Sequence, residues 1–441
     1  LMRDLRVDAS AAQWLSTAFM LTMAVVIPIT GWLIQRFHTR PVFIAAMVLF
    51  STGTLLAAIA PGFTLLVAAR VVQASGTAIM MPLLFTTVMT LVPPATRGRT
   101  MGNISIVISV APALGPTISG LILNVLDWRW MFILVLPVAL AALALGFARI
   151  QNVTTPKPTH FDVFSVIVSA FGFGGLVYGL SNLGAAASGG NPLLGWIPLG
   201  VGVAAIGVFI ARQLFLQRRD DALLDLRTFR SRQFTLSITV IVVSMLALFG
   251  TIILLPIYLQ NVLMLDTLAT GLLLLPGGLV MGLLAPIVGR IYDRIGPTAL
   301  VVTGSVLVSI VFWGMTQFTE NTPTWWVLVA HVSLSFALAL MFTPLFTSGL
   351  GALEPNLYSH GSAIVGTVQQ VAGAAGTALF VTIMAAVAAT RAADGAPVVT
   401  ATASGIQAAF LAGAILSLVV IPIAAFIRKP AAVQPEPEPV T

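Results

Sequence analysis

Gly289-Arg290-Ile291-Tyr292-Asp293-Arg294-Ile295-Gly296 closes one long apolar run, and Gly31-Trp32-Leu33-Ile34-Gln35-Arg36-Phe37-His38-Thr39-Arg40 closes another. Aligned on their first residues, Gly31 matches Gly289 and Arg36 matches Arg294. Each reads as a polar turn between two segments of about 20 apolar residues, the length that crosses a bilayer. One copy in each half of the chain predicts two duplicated helical bundles around a site near the membrane midplane.

The spanning criterion, carried outward from these turns, gives about 13 segments. They are 12–34, 41–60, 64–92, 100–125, 128–150, 162–182, 194–216, 234–258, 266–289, 298–318, 324–348, 362–389 and 404–427. Hydrocarbon offers no hydrogen-bond partners, so each is read as a helix and the fold class as all-α polytopic. Composition agrees. The chain is 58% apolar and 8% charged, with a mean hydropathy of +1.03, against about 25% charged residues in a soluble domain. The absence of cysteine excludes disulfides and thiolate metal sites, and His38, His160, His331 and His360 have no ligand spacing. The net charge of +7 is dispersed between apolar segments with no interleaved aromatics, which excludes a nucleic-acid surface and leaves the bilayer as the partner.

The basic residues set the topology. One face receives sixteen: Arg36, Arg40, Arg97, Arg99, Arg149, Lys157, Arg212, Arg218, Arg219, Arg227, Arg230, Arg232, Arg290, Arg294, Arg428 and Lys429. The other receives Arg3, Arg6, Arg129 and Arg391, and Arg70 lies within a helix, which completes the 21. This places the C-terminus in the cytoplasm and the start of the chain outside, in an inner or plasma membrane. An odd helix number with an outside start leads to the expectation of one further helix ahead of residue 1. The expected organisation is an external stub (1–11), a first bundle (12–150), a linker region with two additional spanning helices (151–232), a second bundle (233–429) and a disordered Pro/Glu tail (430–441).

These residues resemble the major facilitator superfamily, and within it the fourteen-helix drug:proton antiporters. Gly289, Asp293, Arg294 and Gly296 are similar to that superfamily's loop signature, with Gly31 and Arg36 as the weaker first copy, in which Gln35 stands for the aspartate and His38 for the glycine. Arg70-Val71-Val72-Gln73 resembles the family's Arg-x-x-Gln pattern. Gly102, Ala111, Pro112, Gly115, Pro116 and Gly120 fall at the spacing of its antiporter motif, and Asp127-Trp128-Arg129 is typical of the turn that follows. The resemblance implies two pseudo-symmetric bundles, alternating access, export of drug-like amphipathic or cationic molecules, no cofactor beyond the proton motive force, and a first helix carrying the acidic coupling residue.

Single residues carry two readings each. Arg70 costs about 2.5–3.5 kcal/mol in the hydrocarbon; it is either a coupling or gating cation with Gln73 beside it, or an arginine reaching outward to the interface. No Asp or Glu lies mid-segment; Asp162, Asp266 and Glu354 stand near ends. The fourth segment is either a hinge or ordinary small-residue packing. Phe19, Met23, Met80 and Met81 either line a promiscuous cavity or fill core, and at least one of Gln369 and Gln370 is expected to face a polar cavity. His331 reads first as a structural histidine. A channel lacks its ring of charge here. A membrane enzyme lacks its catalytic constellation. An exporter of an endogenous metabolite or lipid, or a non-transporting scaffold, stays open as an alternative.

Overall fold

The computed structural model describes residues 9–186 and 191–430. Thirteen α-helices follow one another along them, with three short 3-10 turns and no strand among the described residues. They are α1 (Ala9–Arg36), α2 (Thr39–Ala58), α3 (Phe63–Leu91), α4 (Arg97–Val125), α5 (Trp130–Arg149), α6 (Val163–Ala186), α7 (Leu193–Leu216), α8 (Arg232–Asn261), α9 (Thr267–Ile295), α10 (Thr298–Met315), α11 (Thr324–Gly351), α12 (Tyr358–Ala393) and α13 (Val398–Ala424). Among the described residues twelve are long and apolar enough to cross a membrane. The thirteenth, α4, is 29 residues long and carries no charged residue between Arg99 and its end at Val125.

Several helices outrun their expected ends. α9 continues to Ile295, so Tyr292, Asp293 and Arg294 lie on its last turns and not in a connecting turn. α1 likewise carries Gln35 and Arg36 on its last turn, and α13 begins at Val398 rather than at 404. Hydropathy marks where a helix leaves hydrocarbon, whereas its hydrogen bonds persist into the polar layer. What stops α9 is Gly296, at a φ of 82°, whose N–H returns to the Tyr292 carbonyl at 2.8 Å. Four helices start directly after a proline: Pro192, Pro297, Pro323 and Pro397. Ser231 and Asp266 cap α8 and α9 by accepting the N–H groups of Phe234 and Ala269. α1 begins within the segment expected as an external stub. Residues 1–8 of that stub and the tail from 431 lie outside the described residues.

α1–α5 form one bundle and α8–α13 the other. They meet along two seams, α1 against α12 and α4 against α9, and α4 packs more extensively on α9 than on its own bundle. The largest buried cluster runs from Phe234 and Tyr258 to Phe410 in the second bundle and crosses to Phe85, Met89 and Met101 of the first. α11 is apolar on every face and buried throughout its second half. α5 exposes Val138 and Leu145, as a lipid-facing helix does. Trp128, buried with Ala57, Ala60 and Leu66, ties the start of α5 to the α2–α3 turn, and Arg129 donates to the Ala60 carbonyl at 3.0 Å.

The α4–α9 seam depends on glycine. A Cβ on Gly289 would overlap the Gly98 carbonyl, and one on Gly102 would overlap the Ala285 carbonyl. A Cβ on Gly115 would meet nothing within 4 Å among the described residues, and Ala111 is exposed. The surroundings of Pro112, Pro116 and Gly120 lie outside the described residues. Overpacking typically costs about 1–3 kcal/mol. Gly289→Val is therefore expected to lower the thermal midpoint of the purified protein in detergent, whereas Ala111→Val leaves it unchanged. Equal midpoints would show that the seam has room to spare.

α6 and α7 pack on each other, and α6 lies along the α1–α12 seam, where Val177 is buried with Ala24 and Ala374. Asp162, just ahead of α6, accepts from Arg212 Nε and Nη2 of α7 at 2.8 and 3.1 Å and from Ser165 at 2.6 Å. The hydrogen bond from Arg212 holds the Asp162 carboxyl below its ordinary value. A depressed carboxyl contributes stability above its unfolded value, about 3.9, and loses it as pH falls through the lower folded value. Acid should therefore loosen the α6–α7 pair. Asp162→Asn should remove that pH dependence below about pH 4, read as the difference between parent and variant in protease nicking of the linker.

Candidate transport site

The sixteen basic residues gather at one end of the bundle, called here the basic end. Away from it, on α3, Arg70 Nη1 donates to Gln73 Oε1 at 2.6 Å. Gln73, buried, passes its own amide to Thr54 Oγ1 of α2 at 2.8 Å. The Arg70 guanidinium lies 4.1 Å from the centre of the Phe19 ring on α1. Among the described residues no carboxylate pairs with Arg70. A cation with an amide and an aromatic face as its partners is held in place but not neutralised.

Across the α1–α12 seam, Gln370 Nε2 donates to Met23 Sδ at 3.6 Å, and Gln369 is half-buried beside it. Met80 and Met81 turn to different surfaces. Met81 packs on the core that spans both bundles, while Met80 lines a cleft of about 420 Å³ in the first bundle, with Leu84, Thr87 and Arg149. Adjacent positions on a helix are about 100° apart, so a pair of neighbours cannot line one wall. The adaptable surface expected from these methionines thus reduces at the seam to Met23 and Met81. His331 Nε2 lies 3.1 Å from the Leu274 carbonyl and packs against Gly277, inside the second bundle.

The basic end is closed. Asp293, on the last turn of α9, accepts from the backbone N–H groups of Gly98 and Arg99, each at 2.8 Å. One carboxylate thereby caps the exposed N-terminus of a helix in the other bundle, where unpaired N–H groups and the helix dipole favour an anion. Gln35, at the matching position of α1, donates to the Asn356 carbonyl at 3.0 Å and brings no charge. Arg36 and Arg294 are exposed. Deeper in, Phe85 and Phe346 meet at 5.5 Å between ring centres, and Thr343 donates to Ser105 at 3.2 Å.

Two helical bundles joined at two seams, with a duplicated signature at one end, are the build of a secondary transporter. The family model described as Major Facilitator Superfamily matches residues 1–377. The chain belongs to the Major Facilitator Superfamily. It is 41% identical over 430 residues to an uncharacterized MFS-type transporter, YcnB, of Bacillus subtilis, covering 98% of this chain and 90% of that one. It is 38% identical to the lincomycin resistance protein LmrB of the same organism, covering 97% of this chain and 90% of the relative. Among solved structures, the human organic anion transporter MFSD10 superposes with a TM-score of 0.66 at 16% identity, over 94% of this chain and 83% of that one; that likeness shows the fold. This is therefore a multi-pass membrane transporter of the superfamily.

Three features of this superfamily member escaped the sequence reading. The Phe85–Phe346 contact joins two helices far apart in the chain, and nothing in either helix's periodicity marks the pair. His360, read only as an isolated histidine, is buried at the start of α12 against Gly31. The connection between α7 and α8, expected only as part of the linker region 151–232, is largely buried from Ala222 to Asp225. Its one local signal is the alternation in Asp221-Ala222-Leu223-Leu224-Asp225, where apolar residues sit between charges.

Proposed function

We propose that this transporter exports drug-like amphipathic or cationic molecules by alternating access, in exchange for protons. The observation that carries the reading is the likeness to a lincomycin resistance protein along nearly the whole chain, joined to a seam closed at its basic end and to an Arg70 that pairs with no carboxylate among the described residues. In this reading the basic end and the C-terminus face the cytoplasm of a cell with its plasma membrane as the host. Phe19, Met23, Met81 and Gln370 then border the substrate path. The proton would travel on a carboxylate that comes within reach of Arg70 during the cycle, since an opposite charge within ~4–6 Å favours the ionised form.

The test is efflux in sealed vesicles under an imposed pH gradient, with lincomycin and a cationic dye as probes. Uphill movement that collapses with a protonophore is expected. Uphill movement of neither probe under that gradient would reject drug–proton exchange. Counterflow of either probe without a gradient would leave the carrier reading standing and remove only the proton. Orientation has its own test, since the chain has no cysteine. Asn191→Cys is expected to react with an impermeant maleimide in intact cells, and Arg218→Cys only after lysis; both positions are exposed. The reverse pattern would invert the topology.

A further inference from the structure

The α7–α8 connection is built as a wedge. Ala222 (7% exposed), Leu223 (1%), Leu224 (4%) and Asp225 (3%) are buried, with Leu223 and Leu224 in the core shared with Phe234, Leu353 and Tyr358. Connections normally run over the surface, because a buried one must satisfy its backbone groups. Here one such group meets a buried side chain. Leu224 N–H donates to Oε1 of the fully buried Gln213 on α7 at 3.2 Å. Gln213 donates in turn to Ser165 of α6 at 2.8 Å. The Asp225 carboxylate accepts from Arg227 N at 2.8 Å and from its guanidinium at 2.6 and 2.8 Å.

Behind the wedge stands His360. The residue is buried (4% exposed), and among the described residues its Nδ1 has no hydrogen-bond partner. A Cβ on Gly31 of α1 would lie 3.0 Å from that nitrogen. Three bodies therefore meet at one point of the basic end: α1 of the first bundle, α12 of the second, and the linker. A strap reinforces them, with Lys157 N–H donating to the Gln35 carbonyl at 2.9 Å and His160 N–H to Asp221 at 3.3 Å.

We infer that residues Ala222–Asp225 are a gate element of the transport cycle, a wedge that holds His360 against Gly31 and must withdraw from the start of α12 before the basic end can open. The inference rests on the alternating-access reading above. Gln35 gives the α1–α12 seam no charge to match Asp293 at the α4–α9 seam, and the wedge supplies the missing restraint by burial at the start of α12. Because α7 anchors the wedge and α6 lies on the seam, the two linker helices are the levers that would move it.

Labelling and tethering test this in the cysteine-free chain. Leu224→Cys should react slowly with maleimide in the parent background. With Asp293→Asn added to loosen the other seam, it should react roughly tenfold faster, a shift of about 1.4 kcal/mol in the open–closed balance. Equal rates in the two backgrounds would overturn the wedge. In Leu223→Cys/His360→Cys, a short reducible bismaleimide should stop dye counterflow, and reduction should restore it in the same preparation. Counterflow that continues through complete cross-linking would also overturn the wedge. Absence of counterflow in the unmodified parent would instead sink the transporter reading. If the paired variant is not recovered folded, the Leu224→Cys rates decide.

Discussion

Arg70→Ala is expected to lose gradient-driven efflux while substrate still binds. Among the described residues the guanidinium contacts Gln73 Oε1 at 2.6 Å and the Phe19 ring at 4.1 Å. Alanine deletes both and frees Gln73, which stays bonded to Thr54. Removing a cation from the membrane relieves an insertion cost of about 2.5 kcal/mol or more. Fold and expression should therefore survive, and the loss falls on coupling. A coupling free energy of about 1–3 kcal/mol corresponds to about 5–150-fold, so the accumulation ratio in vesicles should fall by that order. Probe affinity, measured by quenching of a bound dye, should change by less than about threefold, or ~0.7 kcal/mol. Arg70→Lys should restore only part of the activity. Lysine keeps the charge but cannot present a planar face to Phe19 and a fork to Gln73 together. An alanine variant that still accumulates probe uphill would remove Arg70 from the coupling machinery.

Asp293→Asn should produce the second large effect, on the balance between states. The carboxylate accepts two backbone N–H groups of α4, and a hydrogen bond to a charged group contributes about 1.5–3 kcal/mol. Asparagine offers one acceptor oxygen and no charge, so it keeps at most one of the two bonds and loses the attraction to the helix N-terminus. The basic end should open more readily, and transport turnover should fall about tenfold or more, the equivalent of ~1.4 kcal/mol. The Gly289–Gly98 contact remains in place, so the variant should still fold. Asp293→Glu tests the geometry: the charge is kept, but the longer side chain must find room beside Gly98. Its turnover should lie between parent and Asn variant. Parental drug resistance in cells expressing Asp293→Asn would dismiss the latch.

The two copies of the signature show how far a local reading goes. From sequence, Asp293 and Arg294 together read as the charged centre of a turn. In the folded protein they part. Asp293 reaches the backbone of α4, and Arg294 points outward on the last turn of a helix that runs on to Ile295. The spacing of charges is a property of one segment, but the partner of Asp293 is the free N-terminus of a helix nearly two hundred residues away. No residue type in α4 announces it, because the donors are backbone N–H groups. Gln35 was legible as a missing charge. That the linker fills the gap beside it was not, since burial of Leu223 and Leu224 depends on a surface made by α8 and α12.

The sequence by itself determined the solvent, the helical class, the thirteen helices of the described residues, the two-halved duplication and the charge asymmetry between the two ends. These are sums over local chemistry: hydropathy along a segment, the obligation of backbone groups to pair in hydrocarbon, and basic residues counted at each end. The tertiary structure alone decided which faces meet. It set Phe19 beneath Arg70, sent Met80 and Met81 to different surfaces, closed the basic end with Phe85 on Phe346, and buried Ala222–Asp225 of the connection between α7 and α8. In a chain this apolar, nearly every helix face is hydrophobic. Patterning therefore cannot say which face is lipid and which is protein, and only the close approach of particular glycines, helix ends and unpaired backbone groups settles it.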